Sequence, residues 1–332
     1  MEEKKCKIIC LTPVKNEEWI IGKFLKAASI WADSIIISDQ GSTDDTVKIA
    51  SQFPKVTIID NSKLLEYNEK EYRLPLYNEA RKLPGKKLLI QLDVDEFLTP
   101  NFDDLEWKTM MEAPIGTRFL FNWYNIQTNM NSYFVEDNKP FAFMDDGSEY
   151  DSGIIHCPRI PLRRDVPYVK LNSINVLHFQ FVNWDRMELK HMWYRMYEKV
   201  IHPRKSIIQI WREYHYEKNR PIDNINVFAL PREYLDGYNK YGIELTSVLK
   251  VPEKHWDNRM VDYIVRYGWK RFKRVDVDKN YIRQIDHHEV LKSQKLKYNA
   301  IDLLIINYLK RTQRNKNKIY IKVIDLLLMP FF

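Results

Sequence analysis

Glycine is scarce in this chain, 9 of 332 residues. That argues against a repeat-rich β-protein or a long flexible linker. Cysteine is scarcer still: Cys6, Cys10 and Cys157. Cys6 and Cys10 flank an expected strand, and four strand residues span roughly 13 Å, too far for a disulfide between them. An odd count without a framework predicts a reducing compartment, the cytoplasm. Long apolar runs are missing too. None reaches about 18 residues, so no transmembrane helix is expected. The opening segment, MEEKKCKIICLTPV, lacks the long apolar region and small-residue cleavage site of a signal peptide.

What is present is a globular composition. Hydrophobic residues make up 45%, charged residues 29% and aromatic residues 13%. This is enough for a substantial core and too mixed in charge for a disordered chain. The formal net charge of +7 favours an anionic partner: a nucleotide, nucleic acid or an anionic membrane surface. The length allows one large domain or a catalytic domain with an extension.

The first hundred residues alternate strand and helix signals. KIICLT (7–12), SIIISD (34–39), KVTIID (55–60) and LLIQLD (88–93) read as buried strands. Between the first two, Ile20, Ile21, Phe24, Leu25 and Ala28 recur at helical spacing. Glu17 and Glu18 are expected in the first turn of that helix, where they suit its dipole. Ser42 and Asp45 have the spacing of a capping box for a short helix reaching Gln52. A further helix is expected from about Leu76 to Leu83, with Pro75 near its start. The β-α-β-α-β-α-β order predicts a parallel sheet with ligands at the carboxyl ends of its strands. Those ends carry three polar clusters: Pro13 to Glu17, Asp39 to Ser42, and Asp93 to Glu96.

The third cluster poses a physical problem. LLIQLDVDEFL drives an apolar strand straight into Asp93, Asp95 and Glu96. Like charges this close repel, and a desolvated carboxylate is costly unless neutralised. A bound cation, a basic partner or exposure to water would each resolve the conflict.

Taken together, PVKNEE, SDQGSTDDT and LDVDE resemble, in order and spacing, signature segments of family 2 glycosyltransferases, which have the GT-A fold. The resemblance covers roughly residues 7–100. It implies an α/β fold of GT-A type: a Rossmann-like mixed sheet flanked by helices, with a mostly helical C-terminal extension. It implies transfer of a sugar from a nucleoside-diphosphate sugar, a UDP-sugar in the first instance, to a glycan or lipid-linked acceptor such as a surface polysaccharide. An inverting course is expected. The cofactor would be a divalent metal, Mn2+ or Mg2+, bridging Asp93 or Asp95 to the diphosphate. Asp95 is the expected direct ligand, with Asp93 acting through water or the ribose.

The same resemblance assigns further residues. Asp39 would accept the N3–H of uracil; the family more often has two acidic residues here, where this chain has Asp39-Gln40. Pro13, Val14, Asn16 and Glu17 would shape the nucleoside pocket, and helix capping explains Asn16 and Glu17 equally well. Arg73 and Asn78 would face the donor, Arg73 by pairing with phosphate. His178, in VLHFQF, would complete the metal site, with His156 a weaker rival. The family's base often belongs to a Glu-Asp pair that this chain lacks in that form, so the base is sought in the acidic loop of Asp145, Asp146, Glu149 and Asp151, where an acceptor could reach. Asp146 and Glu149 are the chosen pair, and Asp185 is a further candidate.

Beyond residue 100, 119–126 and 173–181 read as strands. Leu189, Met192, Trp193, Met196, Tyr197 and Val200 make a helical stripe. Residues 1–220 are expected to form the transferase domain, divided into a nucleotide-binding half (1–100) and an acceptor half (101–220). Residues 221–332 would be the helical extension, with the boundary near Asn219-Arg220-Pro221. Basic residues at 310–322 followed by an apolar tail fit a peripheral membrane contact at the inner face of the membrane. They equally fit a helix docked on the domain or a dimer contact. Two other functions compete. A metal-dependent phosphohydrolase would use Asp93 as nucleophile and Asp95 as acid/base. A nucleic-acid binder would explain the positive charge, but the basic residues are scattered and no binding motif is present, so no nucleic-acid partner is expected.

Overall fold

The structure, a computed structural model, describes residues 6–63, 66–150, 153–216, 226–247, 256–278, 282 and 297–332. The chain divides into two compact units, 1–182 with 227–253, and 183–226 with 254–332. The chain thus leaves the first unit and returns to it. The expected boundary at 219–221 and the candidate Asp151 lie outside the described residues.

The first unit is built on one mixed sheet. Four parallel strands, β1 (Lys7–Val14), β2 (Ser34–Asp39), β3 (Val56–Asp60) and β4 (Lys87–Gln91), stand in the order β3-β2-β1-β4. The apolar runs of β1, β2 and β4 are continuous because both faces are covered, whereas the edge strand β3 is only half-buried. Ile8, Cys10, Ile35, Ile37, Leu88 and Ile90 pack on one face with Phe24, Leu25 and Ala28 of α1 (Ile21–Trp31). Ile9, Leu11, Ile36 and Leu89 pack on the other with Leu76, Tyr77 and Ala80 of α3 (Glu69–Lys82). The short helix α2 (Thr46–Ala50) links β2 to β3.

Beyond β4 the sheet changes direction. β7 (Ser132–Met144) runs antiparallel to β4, and β6 (Arg118–Ile126) antiparallel to β7. The short strands β9 (Val176–His178) and β5 (Glu96–Leu98) complete the order β7-β6-β9-β5, and β8 (Tyr168–Lys170) pairs parallel with β6 off this path. This is the expected mixed α/β sheet flanked by helices. Val227–Ala229 forms a further strand, β10, on β7, inside the stretch expected to be helical. The extended segment expected over 173–181 is a strand only in its middle third, Val176–His178.

Two helix starts differ from expectation for local reasons. Helix α3 begins at Glu69, not near Leu76, because the Asn68 side chain caps it by accepting from the N–H groups of Lys70 and Glu71. Pro75 therefore lies inside the helix. Its missing N–H frees the carbonyl of Glu71, and Asn61 Nδ2 donates to that oxygen at 3.0 Å. Ser42 does not cap α2; its hydroxyl donates to Asp39 instead, at 2.6 Å. Helix α1 starts at Ile21, so Glu17 and Glu18 lie in the preceding turn.

The second unit is helical: α5 (Trp184–Ile201), α6 (Ile207–Tyr214), α8 (Trp256–Tyr267), α9 (Ala300–Thr312) and α10 (Ile319–Leu328). The short α7 (Glu233–Asp236) belongs to the first unit, as does α4 (Leu105–Glu112). Leu189, Met192, Trp193, Met196 and Tyr197 of the expected stripe are buried on α5, which also buries Arg186, His191, Arg195 and Glu198. Arg195 is satisfied by the carbonyls of Val275, Tyr214 and Asp276.

Candidate active site

The carboxyl ends of β1 and β2 are knitted into one surface. Asn16 takes a left-handed backbone (φ 53°), which asparagine tolerates better than most residues. Its Oδ1 accepts from the N–H of Thr43 at 2.7 Å, and its own N–H donates to Ser42 Oγ at 2.9 Å. The N–H of Glu17 donates to Thr46 Oγ1 at 2.7 Å, and Glu17 Oε2 accepts from Trp19 Nε1 at 2.6 Å. Pro13 and Val14 pair with Ser38 and Asp39. The buried Asp39 carboxylate accepts from the N–H groups of Gly41 and Ser42 and from the Ser42 hydroxyl. Gly41 sits at φ 79° in this turn, a conformation glycine takes without strain. Asp39 thus fixes the Gln40–Ser42 turn.

The end of β4 gathers charge. Asp93 is partly exposed and lies 2.7 Å from Arg159 Nη1 and 3.7 Å from Arg73 Nη2. Arg159 also holds the fully buried Glu96, whose other oxygen accepts from the N–H of Asp93 at 2.7 Å. Burial pushes the Glu96 carboxyl up to about 8, against the pull of Arg159, and the charges of Asp93 and Asp95 add to the rise. Arg73 is buried and bonded to Glu69 at 2.6 Å. Burial alone would make it less basic, but Glu69 and Asp93 hold it well above its ordinary value. Glu69 also accepts from the N–H groups of His156 and Cys157, which ties the segment carrying Arg159 to α3.

Asp95 is buried, and its Oδ2 lies 3.9 Å from His178 Nε2. That is too long for a hydrogen bond. It falls within the roughly 4.3 Å that can separate two ligands of one small divalent cation. The register explains the meeting: β5 pairs with β9, setting Glu96 opposite His178, and the N–H of Phe179 donates to the carbonyl of Asp95. The imidazole stacks on Trp123, with ring centroids 4.4 Å apart.

The tautomer of His178 follows from its neighbours. Asn125 Nδ2 donates to Glu136 Oε1 at 3.3 Å, because an ionised carboxylate only accepts. Asn125 Oδ1 therefore faces His178 Nδ1, at 2.7 Å, and accepts its proton. The neutral ring then carries its lone pair on Nε2, toward Asp95. Among the described residues no group of three or more His, Cys, Asp or Glu side chains could hold a metal ion. A carboxylate and an imidazole with lone pairs turned to one point still suit a cation that takes its other ligands from a bound phosphate and water.

The other sequence candidates fall elsewhere. Asn78 is exposed, roughly 140° round the helix from Arg73 at 3.6 residues per turn. Asp145 donates its N–H to the carbonyl of Lys87, at the amino end of β4. Asp145 and Asp146 thus stand near the opposite end of that strand from Asp93, six residues or roughly 20 Å away. Asp146 is bonded to the buried Arg118 at 3.1 Å and to Ser148, and Asp145 to Arg81 at 2.9 Å. Glu149 is exposed. Asp146 therefore lies too far off to act as the base at a reaction centre at Asp95, whereas Glu149 precedes Tyr150, which stacks on Tyr77 nearer that centre. Asp185 is exposed in the first turn of α5, in the second unit. His156 is exposed and contributes its N–H to Glu69.

Glu69, Asn125, Glu136 and Arg159 belong to this site and were not singled out from sequence. Asn125 and Glu136 stand on β6 and β7, whose alternation shows only that they share a face. Arg159 lies in an irregular stretch with no periodic signal at all.

No family model matches the chain, and no curated protein matches it. Among solved structures, it is similar to glucosyl-3-phosphoglycerate synthase from Mycobacterium tuberculosis, in complex with Mn2+, UDP and glucosyl-3-phosphoglycerate. The identity is 22% over 28% of this chain and 35% of that one, with a TM-score of 0.23. It is similar to a solved mycobacterial protein at 19% identity, over 37% of this chain and 42% of that one, TM-score 0.29. In both cases the chain spans well under half of the other's length. It is similar to the mannosyltransferase PcManGT from Pyrobaculum calidifontis, in complex with GDP-Man and Mn2+, at 9% identity over 94% of this chain and 87% of that one, TM-score 0.40. Likenesses of this degree support no transfer of activity or of site residues.

Proposed function

We propose that this chain is a metal-dependent glycosyltransferase of GT-A type. It moves a sugar from a nucleoside-diphosphate sugar to a glycan or lipid-linked acceptor. The observation that carries the reading is the meeting of Asp95 with His178 Nε2 at 3.9 Å, at the same end of the parallel strands as Asn16, Glu17 and Asp39. Ligands of open α/β sheets bind at that edge.

In this reading Asp95 and His178 would hold Mn2+ or Mg2+. When bound, the cation would stabilise the charge growing on the departing nucleoside diphosphate. Asn125 keeps the His178 proton on Nδ1. Arg73, buried, and Arg159, partly buried, are fixed by carboxylates; they add positive charge beside the diphosphate and hold Asp93 in place. Asp93 would act on the ribose or through water. Asn16 and Asp39 set the walls of the nucleoside pocket by locking the turn after β2, and Pro13, Val14 and Glu17 line its floor. A carboxylate oxygen of Asp39 that accepts from the turn also has capacity for a base N–H. The inverting course and the UDP preference rest on the sequence resemblance alone, and no acceptor-side base is assigned.

The phosphohydrolase reading is the weaker one. It needs Asp93 as a nucleophile, whereas Asp93 is clamped by Arg159, and the acidic pair that favoured it lies at the far end of β4. Screening UDP- and GDP-sugars for metal-dependent release of the nucleoside diphosphate tests the proposal. Failure of both nucleotide series to bind in the presence of Mn2+ would remove it.

A further inference from the structure

Helix α10 turns its apolar side to solvent. Ile321 and Asp325 are its buried positions. Asp325 is held there by Arg212 Nε at 2.9 Å and Tyr308 Oη at 2.7 Å. On the opposite side Ile319, Tyr320, Val323, Leu326 and Leu327 are all at least half exposed, and Ile319 is 82% exposed. At 100° per residue these five cover an arc of roughly 120°. Phe331, in the turn that follows, is 76% exposed. A solvated helix normally shows the reverse pattern, and an apolar patch of this kind marks an interaction surface.

The exposed charges of this stretch of chain are of one sign. From residue 303 to 332 the sequence holds Lys310, Arg311, Arg314, Lys316, Lys318 and Lys322, and its one acidic residue is Asp325, which faces inward on Arg212. Arg311, Arg314, Lys318 and Lys322 are exposed. A second copy seated on this face would bring basic residues against basic residues. An anionic surface would not.

We propose that α10 seats on an anionic lipid bilayer, with its apolar arc in the interface and Arg311, Arg314, Lys318 and Lys322 at the headgroups. The helix is about 15 Å long, half the thickness of a hydrocarbon core, so it lies in the surface and does not cross. Among the described residues no helix is long and apolar enough to span a membrane. Apolar burial and electrostatic attraction act together in such contacts.

The test is co-sedimentation of the full chain with vesicles of phosphatidylglycerol mixed with phosphatidylcholine, and with phosphatidylcholine alone. Binding is expected to the anionic vesicles only and to weaken as salt rises. Leu326→Ser with Leu327→Ser should weaken it at least about tenfold. Lys318→Gln with Lys322→Gln should weaken it by about tenfold or more at low salt and less at high salt. Tyr320→Trp supplies a second readout, a blue shift of its emission on anionic vesicles. Circular dichroism checks that each variant is folded. Equal binding to neutral vesicles, or none to anionic ones, overturns the proposal. So does a concentration-dependent dimer that the leucine substitutions abolish, which would make the face an interface between copies.

Discussion

Asp145 and Asp146, after β7, each meet a guanidinium of their own: Arg81 at 2.9 Å and Arg118 at 3.1 Å. Asp93 and Glu96, after β4, share one, Arg159, while Asp95 faces an imidazole. In sequence the two stretches look alike, a strand running into a knot of acids. In the fold they do opposite things. The first is charge-matched and binds a loop to the sheet. The second gathers carboxylates that outnumber the guanidiniums they contact, beside a histidine whose lone pair is aimed at them. Acidic density alone does not mark a site; where the arginines stand decides, and they come from positions 73, 81, 118 and 159.

The comparison breaks most easily at Asp146. Replacing it with alanine leaves Arg118, fully buried, without its carboxylate. We expect a loss of roughly 3–5 kcal/mol in denaturant unfolding, with Mn2+-dependent nucleotide affinity unchanged in the folded fraction. A stable variant with lost nucleotide binding would reverse the roles of the two clusters.

The same pair makes a pH prediction. Burial would raise the Asp146 carboxyl, but Ser148 and Arg118 outweigh it and hold it at about 2. A carboxyl depressed in the folded state stabilises above its unfolded value and loses that contribution as pH falls through the folded one. The stability gap between wild type and Asp146→Asn should therefore shrink by about 2 kcal/mol between about pH 4 and pH 2. A constant gap would mean that Arg118 does not hold the carboxylate.

At the other cluster, Asn125→Leu should free the tautomer of His178 and weaken Mn2+ binding by about ten- to a hundredfold. The chemical shifts of the His178 ring nitrogens should report a mixed population. An unaltered tautomer would assign its orientation to Trp123 stacking instead. Asp39→Ala should have a smaller effect of about 1.5 kcal/mol on nucleotide affinity, with a comparable loss of stability because it also frees the Gly41–Ser42 turn. A change in stability alone would take Asp39 out of the pocket and leave it a turn residue.

The parallel half of the sheet is legible because β1, β2 and β4 are covered on both faces and read as unbroken apolar runs, KIICL and SIII among them. The strand-end clusters were legible because each follows such a run. Asp146 stands away from the site although DDGSE also follows a strand, because a sequence does not say which end of the sheet an antiparallel strand reaches. Arg159 and Asn125 were invisible for another reason: each acts through a residue far away in the chain, Asp93 and His178. Helix α3 was read short because Pro75 normally opens a helix, and the donor that makes it tolerable inside one, Asn61, stands outside the pattern.

The most direct test is calorimetry of UDP and GDP against the wild-type chain and Asp95→Asn, with Mn2+ and with a chelator. The account predicts that one nucleoside diphosphate binds the wild type only with Mn2+. It also predicts that Asp95→Asn, folded and equally stable, loses about a hundredfold in that affinity. Nucleotide binding that is the same with the chelator, or the same in Asp95→Asn, would contradict it.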